Sequence, residues 1–170
     1  MTDFLRYILR FLLFVLLQVA FFNTLNLGQY LYPCPYLLFL LLFPFSYGTA
    51  GLLLWGFAVG LAVDLLGGGI LGLHTSAMLV TGLLRNGVLK TVSVKTDFEP
   101  QAVPGISTLG FVRYLIFSAC CITVHQCVYF GLENFSMSML GQTLLRIVAS
   151  TLLNVALVLI IDQCFFSSKR

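Results

Sequence analysis

Residues 60–74, GLAVDLLGGGILGLH, contain the stretch that decides how this chain folds. An apolar run ends at Leu66, three consecutive glycines follow, and a second apolar run begins near Gly72. Because glycine adopts positive φ angles at little cost, the three glycines predict a sharp turn. A carboxylate, Asp64, lies about one helical turn before this break, where the negative end of a helix dipole disfavours it. The stretch therefore predicts two apolar helices joined by a short glycine turn.

The composition of the whole chain indicates whether water or lipid surrounds these helices. Of the 170 residues, 59% are hydrophobic and 9% are charged, whereas a soluble domain carries about 25% charged residues. The net charge of +3 is dispersed along the chain, and without a dense cluster of basic residues it does not indicate nucleic-acid binding. The sequence predicts a single all-α domain of a polytopic membrane protein.

Six stretches approach the roughly 20 apolar residues that a membrane-spanning helix needs. They cover residues 5–22, 35–48, 50–66, 72–89, 109–130 and 143–166. The first is expected to be a retained span rather than a signal peptide, because no small-residue cleavage site follows it. In the second, Pro35 suits the start of a helix and Pro44 is expected to kink it. The expected architecture is one bundle of six helices.

The distribution of basic residues favours six spans over five. One helix over residues 36–66 would be about 46 Å long, which is too long for a single span of a roughly 30 Å hydrocarbon core. With six spans and a cytoplasmic N-terminus, the positive-inside rule is obeyed and only Arg146 falls at the outer end. Both termini are then cytoplasmic. The basic residues expected on or near the cytoplasmic side are Arg6, Arg10, Arg85, Lys90, Lys95, Arg113, Lys169 and Arg170.

Asp64 is the main candidate for function, since ionisable groups within apolar spans are rare and costly. Two partners could offset its position: the free N–H groups at the start of the fourth span, and Arg146 at a similar predicted depth. We expect Asp64 to cap the fourth span, to pair with Arg146, or to do both. The site is either a structural clasp or part of a polar pocket that is open to the outer side. Its residues are Asp64, Gly68, Gly69, Gly72, His74 and Arg146.

The other polar residues of the spans predict structural roles. Gln18 and Asn154 are expected to form hydrogen bonds between helices, worth about 0.6 kcal/mol each. Cys121 and His125 could share a helix face, but two ligands do not make a metal site. No catalytic motif, cofactor fingerprint or disulfide pattern is apparent. The sequence therefore predicts no enzyme, no cofactor and no metal.

The order of these features resembles the MreD family of rod shape-determining proteins. The resemblance rests on a short basic start, on Leu17-Gln18 in the first span, and on Pro33 or Pro35 before the second. Its most specific element is the pattern GxxxDxxxGxxLG over residues 60–72. The resemblance implies a non-enzymatic component of the bacterial elongation machinery. It also implies a fold similar to the six-helix substrate-binding components of vitamin uptake transporters, in which a ligand pocket opens outward.

Several partners follow from this resemblance. The outer site would receive the membrane-proximal helix of the bitopic protein MreC, and through it the chain would be linked to cytoskeletal MreB and to peptidoglycan synthases. Membrane lipids would surround the bundle in the bacterial inner membrane. Two alternatives use the same outer site: a small-ligand-binding component of a nutrient uptake transporter, and a lipid-handling protein with a lateral opening. The cytoplasmic face is expected to consist of Arg6, Arg10, Lys90 and Lys95.

Overall fold

The computed structural model describes residues 3–25, 27–93, 99, 101–134 and 140–165. Over these ranges the protein is helical and has no β-strand, which confirms the predicted all-α class. The helices are α1 (Asp3–Ala20), followed by a 3-10 turn (Phe22–Thr24), α2 (Leu37–Leu41), α3 (Thr49–Gly67), α4 (Leu73–Val92), α5 (Ile106–Leu109), α6 (Phe111–Glu133) and α7 (Leu140–Phe165).

Four stretches of helix in the described part of the chain are long and apolar enough to cross a membrane. They match the predicted spans at 5–22, 50–66, 109–130 and 143–166, and they cover Phe4–Thr24, Thr49–Gly67, Phe111–Glu133 and Leu140–Cys164. The predicted span at 72–89 forms α4, which has 20 residues but carries Arg85 and Lys90 in its second half. The four apolar helices are compatible with a membrane protein.

The predicted second span, residues 35–48, differs from the expectation. Its helix, α2, has only five residues. Pro44 explains the early end, because proline lacks the N–H that would continue a helix and its ring clashes with the carbonyl four residues earlier. Every residue from 33 to 44 is nevertheless buried. We call residues 30–44 the core segment, since the bundle packs around it.

The path of the core segment follows from the directions of α1 and α3, which run parallel. Near the N-terminal ends of both helices, the ring centroids of Phe4 and Trp55 are 6.3 Å apart. At the C-terminal end of α3 and just after that of α1, a Cβ placed on Gly67 would lie 2.8 Å from the side-chain nitrogen of Asn23. The chain must therefore return from one end of the bundle to the other between α1 and α3, and the core segment makes this return. We call the two ends the α1-start end and the glycine-turn end.

The helices α3 and α4 form an antiparallel pair with very close backbones. A Cβ on Gly60 would lie 2.5 Å from the Cα of Thr75. One on Gly82 would lie 3.4 Å from the carbonyl oxygen of Leu52. Small residues allow such close approach between helices in membranes. These glycines therefore serve contacts inside the chain.

The helices α6 and α7 continue the alternation of direction. The ring centroids of His74 and Tyr129 are 4.8 Å apart at the glycine-turn end, and Arg85 lies 5.8 Å from the ring of Phe117 nearer the other end. The helix α6 is thus antiparallel to α4. Its last residue, Glu133, forms an ion pair with an arginine in the second turn of α7, so α7 packs back along α6.

The outer surface of the bundle is strongly apolar. On α1, Leu13 and Leu16 are each 60% exposed, and on α7, Leu152 is 68% exposed. Soluble monomers rarely expose apolar patches of this extent. The surface is compatible with lipid as the surrounding solvent.

Candidate functional site

Asp64 caps the N-terminus of α4 from the last turn of α3. The backbone N–H groups of Gly72, His74 and Thr75 each donate to its carboxylate at 3.0 Å. The hydroxyl of Thr75 donates a fourth hydrogen bond at 2.5 Å. The carboxylate, 2% exposed, thus satisfies donors that a helix start leaves free and lies at the positive end of the α4 dipole. The predicted capping of the fourth span is confirmed.

The other predicted partner of Asp64 is not used. Arg146 forms an ion pair with Glu133 at 2.8 Å, and its guanidinium lies 4.4 Å from the centre of the Phe130 ring. The predicted pairing of Asp64 with Arg146 is therefore wrong. Glu133 and Phe130, the two residues that contact Arg146, lie in the last turn of α6. Since Arg146 belongs to α7, the ion pair and the ring contact join these two helices.

Two glycines of the turn have conformations that other residues rarely adopt. Gly68, which ends α3, has φ 69°, and Gly72, which precedes α4, has φ 94°. Gly69 does not have a positive φ. All three are exposed, whereas Asp64 is buried beneath them. The turn therefore presents backbone and glycine to the surroundings, with the carboxylate holding it from inside.

Replacing Gly72 with alanine is expected to destabilise the protein by about 1–2 kcal/mol, the cost of a left-handed conformation for an L-residue. No atom lies within 4 Å of the added Cβ, so the cost is conformational. Gly69→Ala is the matched control, since its Cβ also meets nothing within 4 Å, and it should change stability by less than about 0.5 kcal/mol. Thermal unfolding in detergent measures both; equal losses would contradict the assignment.

His74 belongs to a buried chain of hydrogen bonds that reaches into the core segment. Its Nδ1 lies 2.7 Å from the hydroxyl of Tyr36, which lies 2.9 Å from Nε2 of His125. The Nε2 of His74 is 3.3 Å from the hydroxyl of Tyr32. Since one hydroxyl has one proton, Tyr36 can donate to one imidazole and accepts from the other. His74 is 7% exposed and His125 is fully buried, so this chain of hydrogen bonds lies inside the bundle.

Tyr32 and Tyr129 close the same cluster by stacking. Their ring centroids are 5.1 Å apart and the rings are nearly parallel, at 11°. The cluster therefore consists of tyrosine hydroxyls and histidine imidazoles that contact one another inside the bundle.

Gln18 and Asn154 also form hydrogen bonds with the backbone of the core segment. Gln18 donates to the carbonyl of Pro33 at 3.2 Å. Asn154 donates to the carbonyl of Tyr32 at 2.8 Å and accepts from the N–H of Cys34 at 2.5 Å. The prediction of hydrogen bonds across the bundle is right, but the prediction of helix-to-helix partners is wrong. An extended segment leaves its backbone groups unpaired, and buried backbone groups need partners.

Arg85 plays the corresponding role at the α1-start end of the core segment. Its guanidinium donates to the carbonyls of Leu41 and Pro44 at 3.2 and 3.5 Å, and to that of Phe43. The side chain is fully buried; the sequence placed Arg85 on or near the cytoplasmic side and did not predict its burial. The signal available was Pro44, because a helix that ends at a proline leaves its last carbonyls without donors.

Three of the four residues of the predicted cytoplasmic face, Arg6, Arg10 and Lys90, lie at the α1-start end. Arg6 and Lys90 are exposed and Arg10 is half-buried. Lys95 lies outside the described residues. Within the described part of the chain, no three metal-ligating side chains come together.

Gln18, Asn154, Arg85 and the two histidines therefore bond to the core segment, whereas Asp64 holds the glycine turn against the start of α4. Comparison of the chain with protein-family models, with curated proteins and with solved structures finds no match.

Proposed function

We propose that the chain crosses a bacterial cell membrane six times, with both termini in the cytoplasm. The alternating directions of the helices support this arrangement, because the core segment must run back between the parallel helices α1 and α3. A short helix can cross within the bundle, since irregular backbone at membrane depth is tolerated where protein surrounds it. The positive-inside rule supports the orientation, with Arg6, Arg10 and Lys90 at the α1-start end and Arg146 at the other.

We further propose that the chain is a non-enzymatic scaffold of the cell-elongation machinery, as the resemblance to the MreD family implies. The observation that carries this proposal is the core segment. Its residues 33–44 fill the middle of the bundle and are all buried, and its backbone and Tyr36 engage polar side chains from four helices. Because the core segment fills the interior of the bundle, we expect a partner protein to bind at the outer surfaces of the chain.

The glycine turn offers the most distinctive of these surfaces. Asp64 and His74 are buried and bonded within the chain, so they shape the turn rather than touch a partner. Four large apolar side chains project around the turn: Leu65, Leu66, Ile70 and Leu71, each 60–66% exposed. Apolar side chains beside exposed glycine backbone suit close packing against a partner helix. We propose that this rim receives the membrane-proximal helix of an MreC-like bitopic protein and thereby links the chain to an MreB-like cytoskeleton and to peptidoglycan synthases.

Photocrosslinking in the native host tests this proposal. A photoreactive amino acid at position 71 is expected to capture a single-span periplasmic protein, whereas the same amino acid at position 54 should capture lipid. Leu54 is the control because it is 73% exposed on the side of α3, away from the turn. Ile70→Ser should reduce the capture at position 71 about tenfold, as loss of about 1.4 kcal/mol of apolar burial would, and Leu54→Ser should leave it unchanged.

Other outcomes would support the alternatives. A small metabolite that copurifies with the chain, with no protein captured at position 71, would overturn the scaffold and favour the ligand-binding component of a nutrient uptake transporter. A copurifying lipid-linked sugar would instead favour lipid handling.

A further inference from the structure

A cleft with two arginines opens at the α1-start end of the bundle. It lies between the first turns of α1, the end of the core segment and the stretch that precedes α5, and it has a volume of about 290 Å³. Its lining residues are Arg6, Tyr7, Arg10, Pro44, Gln101 and Val103.

Arg10 has no anion of its own in the described part of the chain. It forms no ion pair and donates no hydrogen bond there, although it is half-buried. The other internal arginines differ, because Arg85 is bonded to carbonyls and Arg146 to Glu133. Arg6, one helical turn from Arg10 on the same face, adds a second positive charge to the cleft.

The start of α1 strengthens the positive potential of the cleft. The free N–H groups of a helix N-terminus act as a partial positive charge within the first turn. Arg6 lies in that first turn and Arg10 one turn beyond it, and both side chains line the cleft. Arginine presents paired N–H donors that match the oxygens of phosphate.

The surroundings of the cleft indicate where such an anion comes from. The other face of α1 is apolar and exposed, with Phe4 at 65% and Leu9 at 49%. At 1.5 Å per residue, Arg10 lies about 10 Å along α1 from its start. The cleft is therefore bordered by the lipid-facing surface of a candidate membrane span. Basic pockets between helices on the cytoplasmic side of membrane proteins bind anionic lipid head groups.

We propose that this cleft binds the phosphodiester of an anionic phospholipid, with Arg10 and Arg6 on its phosphate oxygens. The lipid chains would lie along the apolar face of α1, and the head group would cover the opening in front of Gln101. The proposal goes beyond the scaffold function and requires only that the chain lies in a membrane, not that it binds a protein partner.

Native mass spectrometry of the full chain, released from mild detergent with phosphatidylglycerol added, tests the proposal. Wild type is expected to retain one phosphatidylglycerol at least about tenfold more strongly than phosphatidylcholine. Arg10→Gln should reduce that retention about tenfold, which corresponds to loss of a charge-assisted hydrogen bond, and Arg6→Gln should reduce it in the same direction. Arg10→Lys should lose less, since the charge remains while the paired donors are removed.

Arg113→Gln is the matched control. Arg113 is exposed near the start of α6 and is not among the described residues that line the cleft, so its loss should leave retention unchanged. Equal retention by wild type and Arg10→Gln, both folded by circular dichroism, would overturn the site. Displacement of the lipid by millimolar inorganic phosphate would overturn the lipid as the ligand and indicate free phosphate instead. Equal losses of phosphatidylglycerol retention in the Arg10 and Arg113 variants would mean that retention depends only on the net charge of the protein, and would also overturn the site.

Discussion

A Gly60→Ala variant is expected to lose at least about 3 kcal/mol of stability, at the upper end of the usual cost of overpacking a core. The added Cβ would lie 2.5 Å from the Cα of Thr75, 2.8 Å from its nitrogen and 2.9 Å from the carbonyl oxygen of His74. All three atoms are backbone, so no side-chain rotation can relieve the contact. The helices α3 and α4 would have to separate where Asp64 holds them together.

Unfolding by titration with sodium dodecyl sulfate, followed by circular dichroism, measures this loss. Gly87→Ala is the control, because Gly87 lies within α4 and no atom is found within 4 Å of a Cβ placed there. That variant should be neutral or more stable by up to about 1 kcal/mol, the difference in helix propensity between alanine and glycine. A Gly60 variant as stable as the Gly87 variant would show that α3 and α4 are farther apart than described.

A graded comparison separates steric contact from propensity. Gly56→Ala places its Cβ 3.3 Å from the carbonyl oxygen of Met78, a contact that a small shift relieves. Its cost should therefore fall between those of the Gly60 and Gly87 variants. The order follows the distances alone, since all three changes add the same methyl group to a helix.

The local features of α3 and α4 could be predicted from the sequence because local signals determine them. The triple glycine indicated the turn, and the predicted bounds of 50–66 and 72–89 lie close to the observed helices. A carboxylate one turn before a helix break, with free N–H groups just beyond it, could be recognised as a cap without knowledge of any distant contact. The structure was needed only to decide whether Asp64 binds the start of α4 or Arg146.

The core segment could not be predicted in the same way. Residues 35–48 are as apolar as a span, and hydropathy does not distinguish a helix facing lipid from a chain surrounded by other helices. The segment is identified by the parallel directions of α1 and α3, which is tertiary information. The same information explains why Gln18 and Asn154 bond to its backbone instead of to each other's helices.

Arg85 shows what the positive-inside rule leaves undetermined, which is whether a basic side chain lies at the surface or inside the bundle. The rule counts basic residues near the ends of spans, and Arg85 lies in the half of α4 that is nearer the α1-start end. Its side chain nevertheless turns inward, because the break at Pro44 leaves carbonyls that need donors. A guanidinium with five N–H groups can serve several carbonyls at once. Asp64 thus accepts hydrogen bonds from backbone N–H groups at the glycine-turn end of the bundle, and Arg85 donates hydrogen bonds to backbone carbonyls at the α1-start end.

An Asp64→Ala variant is expected to be destabilised by about 4 kcal/mol, because each buried donor that it leaves unsatisfied costs about 1–3 kcal/mol. Four hydrogen bonds are lost, and three of their donors are backbone N–H groups that cannot turn away. Asp64→Asn should cost less, about 2 kcal/mol, because the amide oxygen can still accept while its NH₂ group opposes an N–H donor. Glu133→Ala, which removes a partly exposed ion pair with Arg146, is the control and should cost at most about 1 kcal/mol.

Thr75→Val extends the test to a single hydrogen bond of the cap. It removes the hydroxyl donor and keeps the backbone N–H, so the expected loss is about 1 kcal/mol. In the Asp64→Ala background the same change should cost almost nothing, because the acceptor is already absent, and the difference between the two backgrounds gives the coupling energy. Equal costs in both backgrounds would mean that Thr75 and Asp64 stabilise the turn separately. The glycine turn would then owe its shape to Gly68 and Gly72 rather than to the carboxylate beneath it.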